Sequence, residues 1–211
     1  MKLFLFGGTG NAGQAILQEA LSRGHGVTAA ARQTGFFHPV GKVTVVTADA
    51  LDPTSIKDVI RGHDAVVAAV SGRKSGHDSV AKIAANLLSA LPAANVSRLL
   101  WVGGAGSLEV APGLRLVDTP QFPAAYREEA LGQGAALQTL RDGKTTVNWT
   151  YVSPPAMIGT GGRSGKYRIG GDQLLADGNG ASTISWIDYA VAVVDELEKN
   201  AHPQSRMTVA Y

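Results

Sequence analysis

Two hydrophobic rhythms alternate along this chain. Short apolar runs without polar alternation are separated by longer stretches in which apolar positions recur at helical spacing. The short runs are Lys2–Phe6, Gly26–Ala31, 42–47, 64–70, Arg98–Val102 and 147–152, each too short for a helix and predicted as a strand. Residues 42–47 (KVTVVT) are rich in β-branched side chains, which favour strands. Residues 64–70 (DAVVAAV) read as a strand covered on both faces. Helical periodicity occupies 12–23, where Ile16, Leu17, Ala20 and Leu21 share a face and Gly24 is the stop signal. It returns in 53–61, opened by Pro53 behind a cap at Asp52, and in 78–91, where Val80, Ile83, Ala84, Leu87, Leu88 and Leu91 line one side and Pro92 is the expected terminator. Residues 123–140 are helical in pattern although Gly132 and Gly134 weaken the middle, and 186–197 follow a cap at Ser185. Residues 207–210 are expected to add an edge strand. The glycine-rich stretch 159–171 reads as a long loop over the site.

Strands and helices in succession predict an α/β fold, a doubly wound and mostly parallel sheet with helices on both faces. In that architecture the ligand lies across the carboxyl ends of the strands, near the point where strand order reverses. The first strand ends there in Gly7-Gly8-Thr9-Gly10-Asn11-Ala12-Gly13 and runs straight into a helix. Gly8, Gly10 and Gly13 spell G-x-G-x-x-G, and Gly7, Gly10 and Gly13 also fit G-x-x-G-x-x-G. Strand, glycine turn and helix in that order are the context a dinucleotide-binding fingerprint requires. Missing side chains let backbone N–H groups approach a pyrophosphate, and Gly13 lets the helix lie close on the strand. The helix N-terminus adds unpaired donors and a positive dipole end, worth ~0.3–1 kcal/mol to an anion and up to about 2 kcal/mol when partly buried. Gly7, Thr9, Gly10, Asn11, Ala12 and Gly13 are therefore the first candidate contacts.

The other strand ends supply the rest. Arg32 follows the second strand where an acid would bind the adenosine ribose hydroxyls of NAD; an arginine there suits a 2′-phosphate and predicts NADP(H) over NAD(H). Asp49 and Ala50, after the third strand, fall beside the expected adenine, although Asp49 fits a turn acid equally well. Ala69, Val70, Ser71 and Gly72 end the fourth strand in small residues over which a ribose and pyrophosphate can pass. Gly103 and Gly104 end the fifth and offer a small floor under a nicotinamide, although either small cluster also fits a close-packed turn.

Composition narrows the partners. With 19 Lys+Arg against 17 Asp+Glu in 211 residues the net charge is +2, and no basic tract marks a nucleic-acid surface. The apolar start stops at Gly7, short of the roughly 7–15 apolar residues of a secretory signal and the ~20 of a membrane span. The expectation is a cytoplasmic chain of one domain over 1–211, a monomer or weak homo-oligomer acting on a small-molecule acceptor, with no nucleic-acid or membrane partner. Without cysteine there are no disulfides or thiolate metal sites. His25, His38, His63, His77 and His202 are scattered without metal-ligand spacing, so they read as surface or loop residues and no metal is expected.

The opening GGTGNAG, the fifth-strand end WVGGAGSL, and Thr119-Pro-Gln-Phe-Pro123 followed by Tyr126 resemble the atypical short-chain dehydrogenases/reductases. Trp149-Thr-Tyr-Val-Ser-Pro-Pro155, Ile158-Gly159 and Gly170-Gly-Asp-Gln-Leu-Leu175 are similar to the NAD(P)H-flavin reductase-like branch, close to biliverdin-IX-beta reductase. The resemblance runs nearly end to end. It implies a Rossmann-type fold binding NADPH and hydride transfer to flavin or another flat conjugated acceptor of quinone or tetrapyrrole type, with FMN or FAD as substrate rather than tightly held cofactor. It places Pro154 and Pro155, with Ile158 close by, in the nicotinamide pocket, and 153–182 as a small substrate-covering region.

One departure bears on mechanism. The wider superfamily uses Tyr-x-x-x-Lys, in which the lysine activates the tyrosine for proton transfer. Here Tyr126 is followed four residues on by Ala130, and the usual serine is replaced by Gly103-Gly104. A phenol without a cation at that spacing is a poor proton donor or base near neutrality. Alcohol dehydrogenation is disfavoured, Tyr126 is expected not to be essential, and no catalytic side chain is assigned. A conjugated acceptor suffers less, because it delocalises the developing charge and water can protonate it. The same departure also fits a non-catalytic NADP(H)-sensing regulator. A nucleotide-sugar epimerase would want both the tyrosine and a larger substrate domain.

Overall fold

The computed structural model describes residues 1–33, 35, 37–73 and 75–211. Its central sheet contains β1 (Lys2–Phe6), β2 (Gly26–Ala31), β3 (Val43–Thr47), β4 (Ala65–Ala68), β5 (Arg98–Val102), β8 (Asn148–Ser153), β10 (Arg168–Gly170) and β12 (Ser205–Ala210), in the order β10-β12-β8-β5-β4-β1-β2-β3. Every pairing is parallel except that of β10 with β12. Strand order reverses between β1 and β4, which puts the switch point beside the glycine turn. The chain is thus the doubly wound α/β fold its alternating pattern predicts.

Successive strand residues face opposite layers. Phe4, Phe6, Val66, Ala68, Leu99, Trp101 and Tyr151 pack on α2 (Pro53–Ile60), α3 (Asp78–Ala93) and α4 (Ala124–Asp142). Leu3, Leu5, Val27, Val67, Leu100, Val152 and Met207 pack on α1 (Asn11–Ser22) and α5 (Trp186–Lys199). The predicted caps form: Thr54 N–H donates to Asp52 Oδ1 at 2.9 Å, and Asp188 N–H to Ser185 Oγ at 3.0 Å. Gly24 takes φ +79° and ends α1 as a left-handed residue.

Several expectations are corrected. Helix α3 does not stop before Pro92 but carries it in its last turn, where a missing N–H breaks only one helical bond; Ala94 N–H still reaches Ala90 O at 3.0 Å. Helix α4 forms as its pattern predicts and runs unbroken through Gly132, where a Cβ would stand 2.8 Å from His77 O, so the glycine permits the close approach of α4 to the start of α3. Strand β12 lies between β8 and β10 rather than at the edge.

The stretch 159–171 is not a plain loop. It joins β9 (Met157–Gly159), which pairs with β11 (Thr183–Ser185), to β10. Between them Arg163 pairs with Glu19 at 2.8 Å, the Gly165 N–H donates to Asp188 Oδ1 at 2.8 Å, and Tyr167 Oη–H donates to Asp195 Oδ2 at 2.7 Å. These contacts fasten the segment to the flank made by α1 and α5. The β5–α4 connection adds a hairpin of β6 (Glu109–Ala111) and β7 (Leu114–Arg115) that periodicity could not show. Among the described residues no helix is long and apolar enough to cross a membrane.

Candidate functional site

The glycine turn is built by three different constraints. Gly7 has φ +82°, and a Cβ on it would stand 1.9 Å from Ala69 O, so any side chain would drive β1 and β4 apart at the switch point. A Cβ on Gly13 would stand 2.2 Å from Gly7 O, so its absence lets α1 seat on the turn. Gly10 differs: it is extended (φ −85°, ψ 165°), and its Cβ would meet nothing nearer than Gly7 O at 3.6 Å. The protein leaves room above Gly10 that its own packing does not use. Gly8 is limited by Phe37, whose ring would be 3.0 Å from a Cβ, so Gly7 rather than Gly8 leads the motif physically.

Gly10 caps α1 without a side-chain acceptor, and no acid occupies the first helical turn. The first helical bond is Gln14 N–H to Gly10 O at 2.8 Å, which leaves the amides of Asn11, Ala12 and Gly13 without helical acceptors. Thr9, Gly10 and Asn11 are exposed, and the electropositive helix end opens over the same edge of the sheet as the other candidate residues. The cradle fits a phosphate.

Across the switch point, Arg32 Nη1 donates to Ser75 Oγ at 3.2 Å, bridging the end of β2 to the connection after β4. Asp49 is drawn into its own turn, its Oδ1 accepting from Leu51 N–H at 3.0 Å, and the Ala50 carbonyl accepts from Asn86 Nδ2 at 3.1 Å. Ala69 and Val70 follow β4 half-buried, Ser71 is exposed, and Gly72 is buried in a turn where a Cβ would stand 2.7 Å from His77 Cα.

Gly103 and Gly104 rest on Tyr151. A Cβ on Gly103 would stand 2.1 Å from the tyrosine ring, so packing itself requires the glycine. Gly104 N–H donates to Tyr151 Oη and that hydroxyl donates to Gln133 O, both at 3.0 Å. Burial pushes the Tyr151 phenol up to about 12, so it stays protonated and serves as a strut. Gly103 N–H donates to Val152 O at 2.9 Å, tying the end of β5 to that of β8, beyond which Pro154 is half-buried and Pro155 buried. A groove of about 330 Å³ runs beside β9 and β11, lined by Met157, Ile158, Gly161, Ile184 and Tyr211 among others.

Tyr126, in the first turn of α4, is 55% exposed, with the Arg73 guanidinium 5.9 Å from its ring centroid. A Cβ on Gly106 would stand 2.5 Å from the Ala130 Cβ, so the place of the superfamily lysine is a close helix–turn contact. Sequence reasoning missed the side chains that do hold this region. Gln133 Nε2 donates to Val70 O at 2.9 Å, Trp101 Nε1 donates to Gln133 Oε1 at 3.0 Å, and Gly72 N–H donates to Glu129 Oε2 at 3.1 Å. His77 stands against that carboxylate, Nδ1 to Oε2 3.4 Å. His25, His63, His77 and His202 lie in connections outside the helices and strands, as expected, and are half-buried there; only the i, i+4 spacing of Glu129 and Gln133 hinted at the network. Among the described residues no three His, Cys, Asp or Glu side chains converge as a metal site.

Comparisons with known proteins give the family of the chain. A family model described as NAD(P)H-binding matches residues 7–200. The uncharacterised protein YwnB of Bacillus subtilis (strain 168) is 39% identical over 99% of this chain and 98% of its own length. The structure of a Burkholderia pseudomallei protein provisionally named as exported superposes with a TM-score of 0.91 at 41% identity, covering 100% of both chains. A Streptococcus pneumoniae TIGR4 protein provisionally named NADH-flavin reductase superposes with a TM-score of 0.87 at 35% identity, over 100% of this chain and 99% of that one.

Proposed function

Because the chain belongs to the NAD(P)H-binding family and fits an atypical branch of the short-chain dehydrogenases/reductases, we propose that it is an NADPH-dependent oxidoreductase acting on flavin or another flat conjugated acceptor. The observation that carries this reading is the unfilled space above Gly10, at an uncapped helix N-terminus, on the same sheet edge as a helix that lacks the Tyr–Lys pair. The provisional name of the Streptococcus pneumoniae relative supports the acceptor class.

When bound, the dinucleotide supplies a hydride from the nicotinamide C4. In this reading Gly7, Thr9, Gly10, Asn11, Ala12 and Gly13 hold the pyrophosphate, and Asp49 and Ala50 flank the adenine. Residues 69–72 carry the ribose. Gly103 and Gly104, stiffened by Tyr151, support the nicotinamide, while Pro154 and Pro155 exclude water beside it. The same proposal takes 1–211 as one functional domain in the cytoplasm, with 153–182 covering the acceptor and flavin exchanging as a substrate. Steady-state NADPH oxidation with FMN, FAD and menadione tests it. Tight NADPH binding without turnover on any of them would favour the non-catalytic sensor instead.

Arg32 carries the cofactor preference. A charge-assisted hydrogen bond contributes ~1.5–3 kcal/mol, roughly ten- to hundredfold in affinity. Arg32→Ala should therefore lose about that factor for NADPH and leave NADH nearly unchanged in parallel titrations. Equal weakening of both would remove Arg32 from the 2′-phosphate.

Tyr126 does not carry proton transfer. Its ring is exposed and Ala130 is packed against Gly106, so the lysine of the usual pair has no counterpart at its position. Tyr126→Phe should change turnover with FMN by less than about tenfold, below the ~10²–10⁴-fold of general acid catalysis. A hundredfold loss with NADPH affinity intact would make the hydroxyl catalytic.

A further inference from the structure

Within the dinucleotide-binding reading, on which this inference rests, we propose that Glu129 is a positioning residue that holds the turn after β4 in the shape the cofactor requires. Residues 69–72 leave the sheet at the switch point, and α4 grips them twice. Gln133 Nε2 donates to Val70 O at 2.9 Å, and Glu129 Oε2 accepts from Gly72 N–H at 3.1 Å. The two side chains are one helical turn apart and also touch each other, Gln133 Nε2 to Glu129 Oε1 3.3 Å. Trp101 Nε1, fully buried, donates to Gln133 Oε1 at 3.0 Å and so orients the whole amide. His77 closes the turn, with its Cα 2.7 Å from where a Gly72 Cβ would be and its Nδ1 3.4 Å from Glu129 Oε2.

The helix that in the wider superfamily carries a proton relay is used here to brace a backbone turn. Glu129 is 15% exposed and spends its carboxylate on the amide of Gly72, beside exposed Ser71. Burying a charge costs stability unless it is well paired, and a neutral group would pack as well. What the carboxylate adds is a stronger, directional acceptor that removes freedom from 69–72 before the cofactor arrives. Ordering a loop in advance raises affinity by lowering the entropy lost on binding.

The test compares the wild type with Glu129→Ala, Glu129→Leu, which keeps bulk without an acceptor, and Glu129→Gln, which keeps one acceptor oxygen for Gly72. Melting temperature, NADPH dissociation constant by fluorescence, and KM and kcat with FMN are read for each. Either acceptor-free variant should raise the NADPH dissociation constant and KM by about tenfold or more, the loss of one charge-assisted hydrogen bond. Its kcat at saturating NADPH should stay within about threefold. Glu129→Gln should recover most of the affinity and stay within about fivefold of wild type. If a folded Glu129→Ala or Glu129→Leu binds NADPH like the wild type, or if Glu129→Gln loses as much as they do, Glu129 is not the brace. A wild type that binds no NADPH overturns the dinucleotide reading and this inference together.

Discussion

Gly10→Val is expected to abolish NADPH binding in a protein that still folds. The backbone at Gly10 is extended, a conformation valine favours, and its Cβ would clear every neighbour by 3.6 Å or more. The substitution therefore fills only the space above the turn, where a pyrophosphate must approach the amides of α1. The neighbouring glycines make the contrast. Gly13→Val would push a Cβ to within 2.2 Å of Gly7 O, and Gly7→Val would add an unfavourable positive φ to a 1.9 Å clash with Ala69 O. Those two variants should fail to fold or melt far lower. Gly10→Val should lose at least about a hundredfold in NADPH affinity by fluorescence titration, equivalent to roughly 2.8 kcal/mol, while its far-UV circular dichroism matches the wild type. Near-normal affinity in the folded variant would move the dinucleotide elsewhere on the molecule.

Glu196→Ala is expected to cause the largest loss of stability without touching the site. At the amino end of β5, Arg98 is held between sheet and helix: its Nη2 lies 2.9 Å from Glu196 Oε1, with side chains only 7% and 2% exposed. Its Nη1 donates to Thr150 Oγ1 at 2.8 Å, and His202 Nδ1 stands 2.7 Å from the other oxygen of Glu196. Removing the carboxylate strands a buried guanidinium, which costs about 3–5 kcal/mol. At roughly 2–4 °C per kcal/mol for a chain of this size, the melting temperature should fall by roughly 6–20 °C. Arg98→Met combined with Glu196→Leu should regain much of this, because no charge is then left unpaired. A single variant melting within a degree or two of wild type would show the pair to be dispensable.

The same group makes stability depend on acid. Burial alone would raise the Glu196 pKa, but hydrogen bonds from His202 and Thr150 and the charge of Arg98 outweigh it and hold the carboxyl below its ordinary 4.5. A carboxyl depressed in the folded state binds fewer protons there than when unfolded. Its contribution is complete above the unfolded value and is lost as pH falls from 4.5 through the lowered one. Melting temperatures measured from neutral pH downward should turn down in that window, and Glu196→Leu with Arg98→Met should flatten that part of the curve.

The layered fold, the parallel sheet, the caps at Asp52 and Ser185 and the glycine turn were legible because each rests on local pattern: apolar runs, helical spacing, and residues suited to one backbone state. The positions lining the strand ends were legible too, since parallel strands must end on one edge. The tertiary structure alone decided which glycine serves which purpose. Gly7 is constrained by Ala69, a segment it meets only after folding, Gly13 by the fold of the turn back onto Gly7, while Gly10 faces open space, and the three look alike in sequence. It also decided the work of α4. Its periodicity marks a helix, but the reach of Glu129 to Gly72 and of Gln133 to Val70 spans 57 and 63 residues, which no local rule encodes. The strapping of 160–167 to α1 and α5 and the inner place of β12 have the same origin. The strap and the strand are held by contacts between residues far apart in the chain, which exist only once the sheet has brought them together, whereas Pro92 is tolerated because in the last turn it costs a single helical bond.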